Sequence, residues 1–363
     1  VHSDYSLLDG AAKIPNLVSS AARFEQPAIA LTDHGNLCGA IEFYKACRKE
    51  GVKPIIGLEA YLAPRSRFDR ERNPVAAFHL ILLAQNEQGY RNLIKLSTRS
   101  FTEGFYYNPR VDKELLSELN EGIIAQSACL SGEPSYYARH DDLARATKAA
   151  VEMRDIFGDR YYLELQRNGC DGQEKVNQAL LKIGKEQGIP VVATNDIHYV
   201  EEGDAPAHEV HMCIGMGKTL NDERRLKPES LLCFRASEPM YGLFGDLEVA
   251  ARNTVEIAER CDLQLDLDAM HLPAFEAPGG EDNLTFFRRL CRKGAEKRYG
   301  LPLSAPILER LEHEQRVIEQ MGFVAYFLIT WDFVNYARSQ GIPVGPGRGS
   351  AAGSIVAYSI GIT

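Results

Sequence analysis

The sequence predicts an α/β protein, a mostly parallel β-sheet curled into a barrel and followed by a largely helical C-terminal part. Three observations carry that expectation. Short apolar, β-branched runs alternate with amphipathic stretches over about the first 200 residues. Residue types that ligate metals stand at the ends of successive runs, where barrel enzymes assemble their sites. Between about 220 and 265 the alternation fades, and the Pro/Gly-rich segment after it (271–283) gives way to helical patterns.

The elements follow in order. The opening VHSDYS is the first candidate strand, and PAIALTDHG (27–35) is the second. LCGAIEFYKACRKEG then reads as a helix with Leu37, Ile41 and Tyr44 on one face. VKPIIGLEAYLA (52–63) runs into the charged loop RSRFDRER (65–72). FHLILLAQN (78–86), EGIIAQSACL (121–130), RYYLELQ (160–166) and PVVATNDIHYV (190–200) complete a set of about seven strands, with helical patterns between them. EVAARNTVEIAERCDLQL (248–265) reads as one helix, HLPAFEAPGGEDN (271–283) as a linker, and 283–299 and 305–321 as two further helices. This divides the chain into 1–268 and 269–363.

Composition narrows the class. Of 363 residues, 45% are hydrophobic and 25% charged, the balance of an ordinary globular protein, and no apolar run reaches membrane-spanning length. Eight scattered cysteines without a CxxC pair favour free thiols and a reducing, cytoplasmic setting. A net charge of −9 gives no general electrostatic footprint for nucleic acid, so any such attraction must be local. The chain opens inside a strand pattern without Met and stops straight after a helical one, as expected of a fragment.

The polar residues in the strand runs form the second layer of the argument. In an extended segment side chains i and i+2 share a face, so Asp196 and His198 are expected to converge. His34, Glu59 and Cys129 come late in their runs, and His2 and Asp9 flank the first. His79 starts its strand and fits the end-of-strand rule least well. Taken singly, each has a plainer explanation: a lone His is usually structural, Cys129 a small buried hydrophobe, Asp9 a turn residue, Asp33 a helix cap. Glu59 resists this, because an unpaired carboxylate in an apolar strand is costly to bury. His, Asp, Glu and Cys at so many strand ends point together to a multinuclear metal site.

VGPGRGSAAGS (344–354) is the other informative stretch. It lacks the Gly-Lys-Ser/Thr close of a phosphate-binding P-loop. It sets Gly345, Gly347 and Gly349 before a helix expected to start near Ala351 with Ser350 as its N-cap, an arrangement suited to anions. Arg348 adds a cation with bidentate reach to phosphate, and a plain turn is the blander alternative. Elsewhere, RSRFDRER with Phe68 and RRLCRK (288–293) are candidate DNA-backbone contacts or solvated faces. His208 and His211, at i, i+3, are assigned structural roles with His140, His271 and His313, and Cys38 and Cys47 are assigned to packing.

VHSDYSLLDG, ALTDHGNLCGAIEFY, KPIIGLEAYL, FHLILLA, SACLSG and ATNDIHYV, in that order, resemble the PHP (polymerase and histidinol phosphatase) domain of bacterial replicative DNA polymerases. The resemblance is to the C family, that of the DNA polymerase III alpha subunits, and it covers essentially the whole chain. MGFVAYFLITWDFVNYARSQGIPVGPGRGSAAGSIVAYSIGIT is similar to the opening of that family's palm domain. The resemblance implies a distorted (β/α)7 PHP barrel followed by the N-terminal part of a palm. It implies a set of metal ligands, His2, Asp9, His34, Glu59, His79, Cys129, Asp196 and His198, holding two or three Zn²⁺ or Mn²⁺ ions. His2 matches the second member of the family's His-x-His pair. Glu59, Asp196 and His198 would be the catalytic core of a 3′→5′ exonuclease or phosphoesterase. Gly347, Arg348, Gly349, Ser350 and Ser354 would bind the triphosphate of an incoming nucleotide. The polymerase carboxylates that hold Mg²⁺ lie downstream in this family, so this part alone is not expected to polymerise. Partners implied are primer-template DNA, dNTP, a sliding clamp and a separate proofreading exonuclease, with no membrane. A translesion relative, a free-standing PHP phosphatase and a metal-stabilised docking module without hydrolysis are the rival readings.

Overall fold

The computed structural model describes residues 1–71, 75–223, 231–269, 273–347 and 349–363. The chain divides into two compact units, Val1–Leu265 and Asp266–Thr363.

The first unit is built on seven strands: β1 (Ala28–Leu31), β2 (Lys53–Leu62), β3 (Phe78–Ala84), β4 (Arg110–Val111), β5 (Ile123–Gln126), β6 (Tyr161–Gln166) and β7 (Val191–Thr194). Their order is β1-β2-β3-β5-β6-β7, with β4 pairing beside β2. The mostly parallel expectation needs correction at β3, which runs antiparallel to both β2 and β5. The opening segment also departs from the expectation, since no regular strand forms over residues 1–6 and the seventh strand is the two-residue β4. The opening still bridges the ends of the sheet. His2 N donates to Ile197 O beyond β7, and Thr32 N beyond β1 donates to Val1 O.

Alternation sorts the strand side chains between two cores. The outer face buries Leu58, Leu80, Leu82, Ala125, Leu163 and Ala193 against surrounding helices through Leu93, Met153, Leu180 and Ile183. The inner face buries Ile55, Ile81, Leu83, Ile124, Tyr162 and Val192 against Ile257 and Cys261. Toward one end that inner face turns polar, with Gln126, Glu164 and Gln166 buried. The helix Ala40–Glu50 packs through Ala40, Phe43, Tyr44 and Cys47. Ile41, expected on the buried stripe, is 38% exposed, because the 3.6-residue period puts Phe43 and Cys47 inward instead. Cys38 is exposed before that helix, so its packing assignment fails, while Cys47 is buried. The helix expected over 248–265 stops at Arg260.

The second unit is helical: Asn283–Tyr299, Ala305–Gln320, Val324–Ser339 and the short Ile355–Ser359. Phe287, Cys291, Leu311, Leu328 and Val356 form its core. The arginines of RRLCRK are paired on its surface, Arg288 with Glu319, Arg289 with Glu281 and Arg292 with Glu296. Among the described residues no single helix is long and apolar enough to cross a membrane.

Candidate metal centre

Eight side chains of the first unit were expected to assemble, and the strand ends determine how they do so. Glu59 sits on the inner face of β2, and His34 extends the β1–β2 ladder by a parallel bridge to it. His79 lies opposite Tyr61 at the start of β3. Because β3 is reversed, its first residues reach the rim where the parallel strands end, which resolves the misfit of His79. His2 and Asp9 come from the opening loop. Gly10 closes that loop so tightly that a Cβ there would lie 1.9 Å from Ser3 O.

Glu59 is the hub. One carboxylate oxygen is 2.5 Å from His79 Nδ1 and 3.5 Å from His34 Nδ1, and the other is 3.1 Å from His2 Nε2. His2 Nε2 is also 3.5 Å from Asp196 Oδ1, and His34 Nε2 is 3.2 Å from Asp9 Oδ2. The His2 ring lies between those of His34 and His198, at 4.2 and 4.4 Å. Among the described residues three groups could hold a metal ion: His2, His34 and His198; His34, Glu59 and His79; His2, Glu59 and Asp196. Cys129 stands at the edge, its Sγ 3.8 Å from His79 Nδ1.

Asp196 and His198 come together by a different route from the one expected. β7 ends at Thr194 and Asp196 has φ +52°, so strand alternation does not align the pair. His198 Nδ1 instead donates to the Asp196 backbone carbonyl at 2.8 Å, and this leaves Nε2 as the nitrogen free to bind a metal. Asp196 faces His2.

The electrostatics follow from burial. Burial opposes protonation of His2, yet Glu59 and Asp196 outweigh it and hold its pKa up at about 9. His79 is raised likewise by Glu59 against burial. Burial would lift the carboxylates, but the surrounding imidazoles hold Glu59 well below its ordinary value and Asp9 at about 2, and Asp196 is lowered too. His198, buried beside His2, is pushed down to about 4. Burial and the nearby carboxylates raise the Cys129 thiol.

This donor set fits divalent ions. Asp9 Oδ1 and His34 Nδ1 are buried without hydrogen-bond partners. With ligand bonds of about 2.0–2.2 Å, tetrahedral donors stand roughly 3.3–3.6 Å apart, near the His2–Glu59 and His2–Asp196 separations. Mixed imidazole, carboxylate and thiol donors suit Zn²⁺, Mn²⁺ or Fe.

Sequence reasoning missed the residues that support the site. Asp33 is 2% exposed and caps no helix; it accepts from Ser3 N, Ser3 Oγ and Ser6 Oγ. Ser6 Oγ also meets His2 Nδ1 at 3.1 Å and accepts from His34 N. The paired serines of HSDYS beside Asp33 were the available signal. Glu164 was also missed. It bonds Thr194 and Gln166, leaves Oε2 buried without a partner, and is raised to about 7 by burial. It lines a cavity of about 310 Å³ on the inner face that reaches His2, Glu59 and Asp196.

Residues 1–168 match the family model of the PHP domain. That match lies within the first unit and spans β1 to β6. Residues 285–363 match the model described as the bacterial DNA polymerase III alpha NTPase domain. Over its full length the chain is 46% identical to DNA polymerase III subunit alpha of Borreliella burgdorferi, spanning 32% of that protein. It is 44% identical to the subunit of Treponema pallidum and 42% to that of Helicobacter pylori, spanning 31% and 32% of them. The chain thus spans about a third of the length of the curated relatives it matches.

The remaining expected residues are dispersed. His208 is buried beside the candidate metal centre, its ring 5.6 Å from His198. His211 lies one helical turn on, while His140 and His313 are exposed and His271 lies outside the described residues. In the second unit, Gly349–Gly353 forms a 3₁₀ turn and the helix starts only at Ile355. The N-cap is therefore Ser354, which accepts from Ala357 N, and not Ser350. Gly347 and Gly349 have φ +87° and +66°. Ser354 Oγ donates to Glu314 at 2.8 Å, and Arg348 lies outside the described residues.

Proposed function

We propose that this chain is the beginning of a replicative DNA polymerase III alpha subunit, with its PHP domain over 1–268 and the start of the palm over 269–363. The PHP centre acts as a metal-dependent phosphoesterase that removes nucleotides from a DNA 3′ end. The observation that carries this reading is the convergence of His2, His34 and His79 on Glu59, with Asp196 and Asp9 on its flanks. His2, Asp9, His34, Glu59, His79, Cys129, Asp196 and His198 hold two or three Zn²⁺ or Mn²⁺ ions. Such ions supply Lewis acidity and lower the pKa of water toward neutrality. The protein's own part is to fix the donors. Glu59 offers both oxygens to opposite sides of the site, and the Asp33–Ser6 pair holds His2 and the His34 backbone.

The full-length protein joins dNTPs to primer-template DNA in the cytoplasm with Mg²⁺, alongside a sliding clamp and a proofreading exonuclease. Gly347, Arg348, Gly349, Ser350 and Ser354 meet the incoming triphosphate. The test combines metal content by mass spectrometry with a 3′-mismatched primer assay under added Mn²⁺ or Zn²⁺, on wild type and Asp196→Ala. Two or three metals with primer shortening lost in the variant is the expected result. A metal-loaded protein that never shortens the primer removes the hydrolytic role.

A further inference from the structure

Next to the PHP centre the fold holds three aromatic rings out in solvent. Phe101, Phe105 and Tyr107 are 49%, 52% and 76% exposed, and the rings of Phe101 and Phe105 stack at 6.1 Å. Phe101 lies in the last turn of the helix Glu87–Thr102, and the loop that follows carries Phe105 and Tyr107 and runs on toward the candidate ligands. Pro109 packs on Gly35, where a Cβ would come within 2.9 Å of Pro109 Cγ. Tyr61 touches the same glycine, and its ring lies 5.9 Å from His34 and 5.4 Å from His79.

The exposure is built into the structure. Arg110, 3% exposed, donates to Gly104 O, Arg67 O and Asp69 O. Arg67, 4% exposed, is clamped by Glu103 at 2.7 Å and Asp112 at 2.9 Å. Gly104 passes so close to the Arg110 carbonyl that a Cβ would sit 1.9 Å away. Burying a guanidinium is costly unless its donors are all satisfied. Here two of them are buried to brace a loop whose aromatics face water, and Tyr107 is held at φ +62°. Preorganised, exposed, flat rings are what a stacking ligand requires. A cation stands with them. Among the described residues the guanidinium of exposed Arg70 donates only to the backbone carbonyls of Arg67, Asp69 and Glu103, so its charge is free for an anion.

We propose that Phe101, Phe105 and Tyr107 form a stacking platform for the unpaired bases of single-stranded DNA, with Arg70 meeting its backbone, and that the platform leads the 3′ end to the metal centre. Stacking tolerates every base, as a nuclease acting on any sequence requires. The proposal rests on the phosphoesterase reading for its purpose, but its test is independent of hydrolysis.

The test is fluorescence anisotropy on the chelator-treated chain with labelled oligo-dT and with an abasic strand of equal length. Wild type binds oligo-dT about tenfold more tightly than the abasic strand, the size expected for one or two stacked bases. Phe105→Ala with Tyr107→Ala brings oligo-dT to the abasic level, and Phe105→Trp with Tyr107→Trp preserves the preference. Arg70→Ala weakens both strands alike. Circular dichroism checks that each variant folds. Equal affinity of wild type for the two strands, no binding of either, or a preference that survives the double alanine variant overturns the proposal. A separate arm follows hydrolysis of bis-p-nitrophenyl phosphate with Mn²⁺ or Zn²⁺. Base preference without hydrolysis sinks only the phosphoesterase reading, and hydrolysis without base preference sinks only the platform.

Discussion

The imidazole of His2 meets the carboxylate of Glu59 with Nε2 3.1 Å from Oε2, and both side chains are almost fully buried. A charge in such a place is stable only when matched. Without metal, protons on His2 and His79 do the matching for Glu59 and Asp196. With metal, the cations replace those protons, because a ligating imidazole must be neutral. The same geometry therefore makes opposite demands on pH in the two states.

In the metal-free protein the sign is fixed by the direction of each shift. His2 is raised from its ordinary 6.5 to about 9, so its contribution is complete below pH 6.5 and is lost as pH rises through 9. Glu59 and Asp196 are lowered from 4.5 and 3.8, so their contribution is present above those values and is lost as pH falls below them. Thermal melting of chelator-treated protein should show a midpoint highest between about pH 5 and 6.5 that declines toward pH 9. Metal uptake near pH 7.5 should release protons, measured by calorimetry in buffers of different ionisation heat. A melting midpoint that is flat from pH 6.5 to 9 would falsify the pairing of His2 with Glu59.

Glu59→Gln removes the hub while keeping its shape. Three imidazoles lose their shared anion, and breaking such buried pairs costs about 3–5 kcal/mol. The metal-free variant should melt well below wild type, and metal content per chain should drop. Wild-type stability and metal content in the variant would show that the ligands assemble without Glu59.

How much of this was legible depended on whether a residue acts through local pattern or distant partners. Apolar alternation located β2, β3, β5, β6 and β7, because each strand buries both faces between helices and the inner core. It could not show that β3 runs backwards. That reversal is a property of long-range pairing, and it is why His79 looked misplaced in one dimension and is not in three. Asp196 and His198 were rightly suspected for a partly wrong reason: the turn at Asp196, not strand alternation, brings them in. Asp33 looked like a cap because its true partners, Ser3 and Ser6, sit far away in sequence. The helix after the glycine loop starts at Ile355 and not at Ala351, and its cap is Ser354, which is tied to Glu314 across about 40 residues of sequence.

Ser6→Ala tests the support beneath the ligands. Ser6 Oγ joins Asp33 to His2 Nδ1 and to the His34 backbone, so it turns His2 Nε2 toward Glu59 and Asp196. Loss of such a supporting hydrogen bond typically weakens metal affinity about 10–100-fold. Competition with a chelating dye should show that loss, with little change in the folded spectrum. Unchanged affinity would make the network a brace for the loop alone.

In the second unit, Ser354 caps the helix Ile355–Ser359 and donates to Glu314, whose carboxylate also accepts from Val356 N at 3.2 Å. Burial would raise Glu314, but Ser354, Arg310 and the Val356 amide hold it low, so an internal anion already occupies this helix start. Ser354→Ala should lower stability by about 1 kcal/mol, the usual worth of an N-cap, seen in urea unfolding. If Ser354 also meets the incoming triphosphate, that nucleotide competes with Glu314 for the same donors. Glu314→Gln in the full-length protein should then lower the apparent KM for dNTP, while Ser354→Ala raises it. Identical KM values in wild type and both variants would remove Ser354 from the nucleotide site and leave it a structural cap.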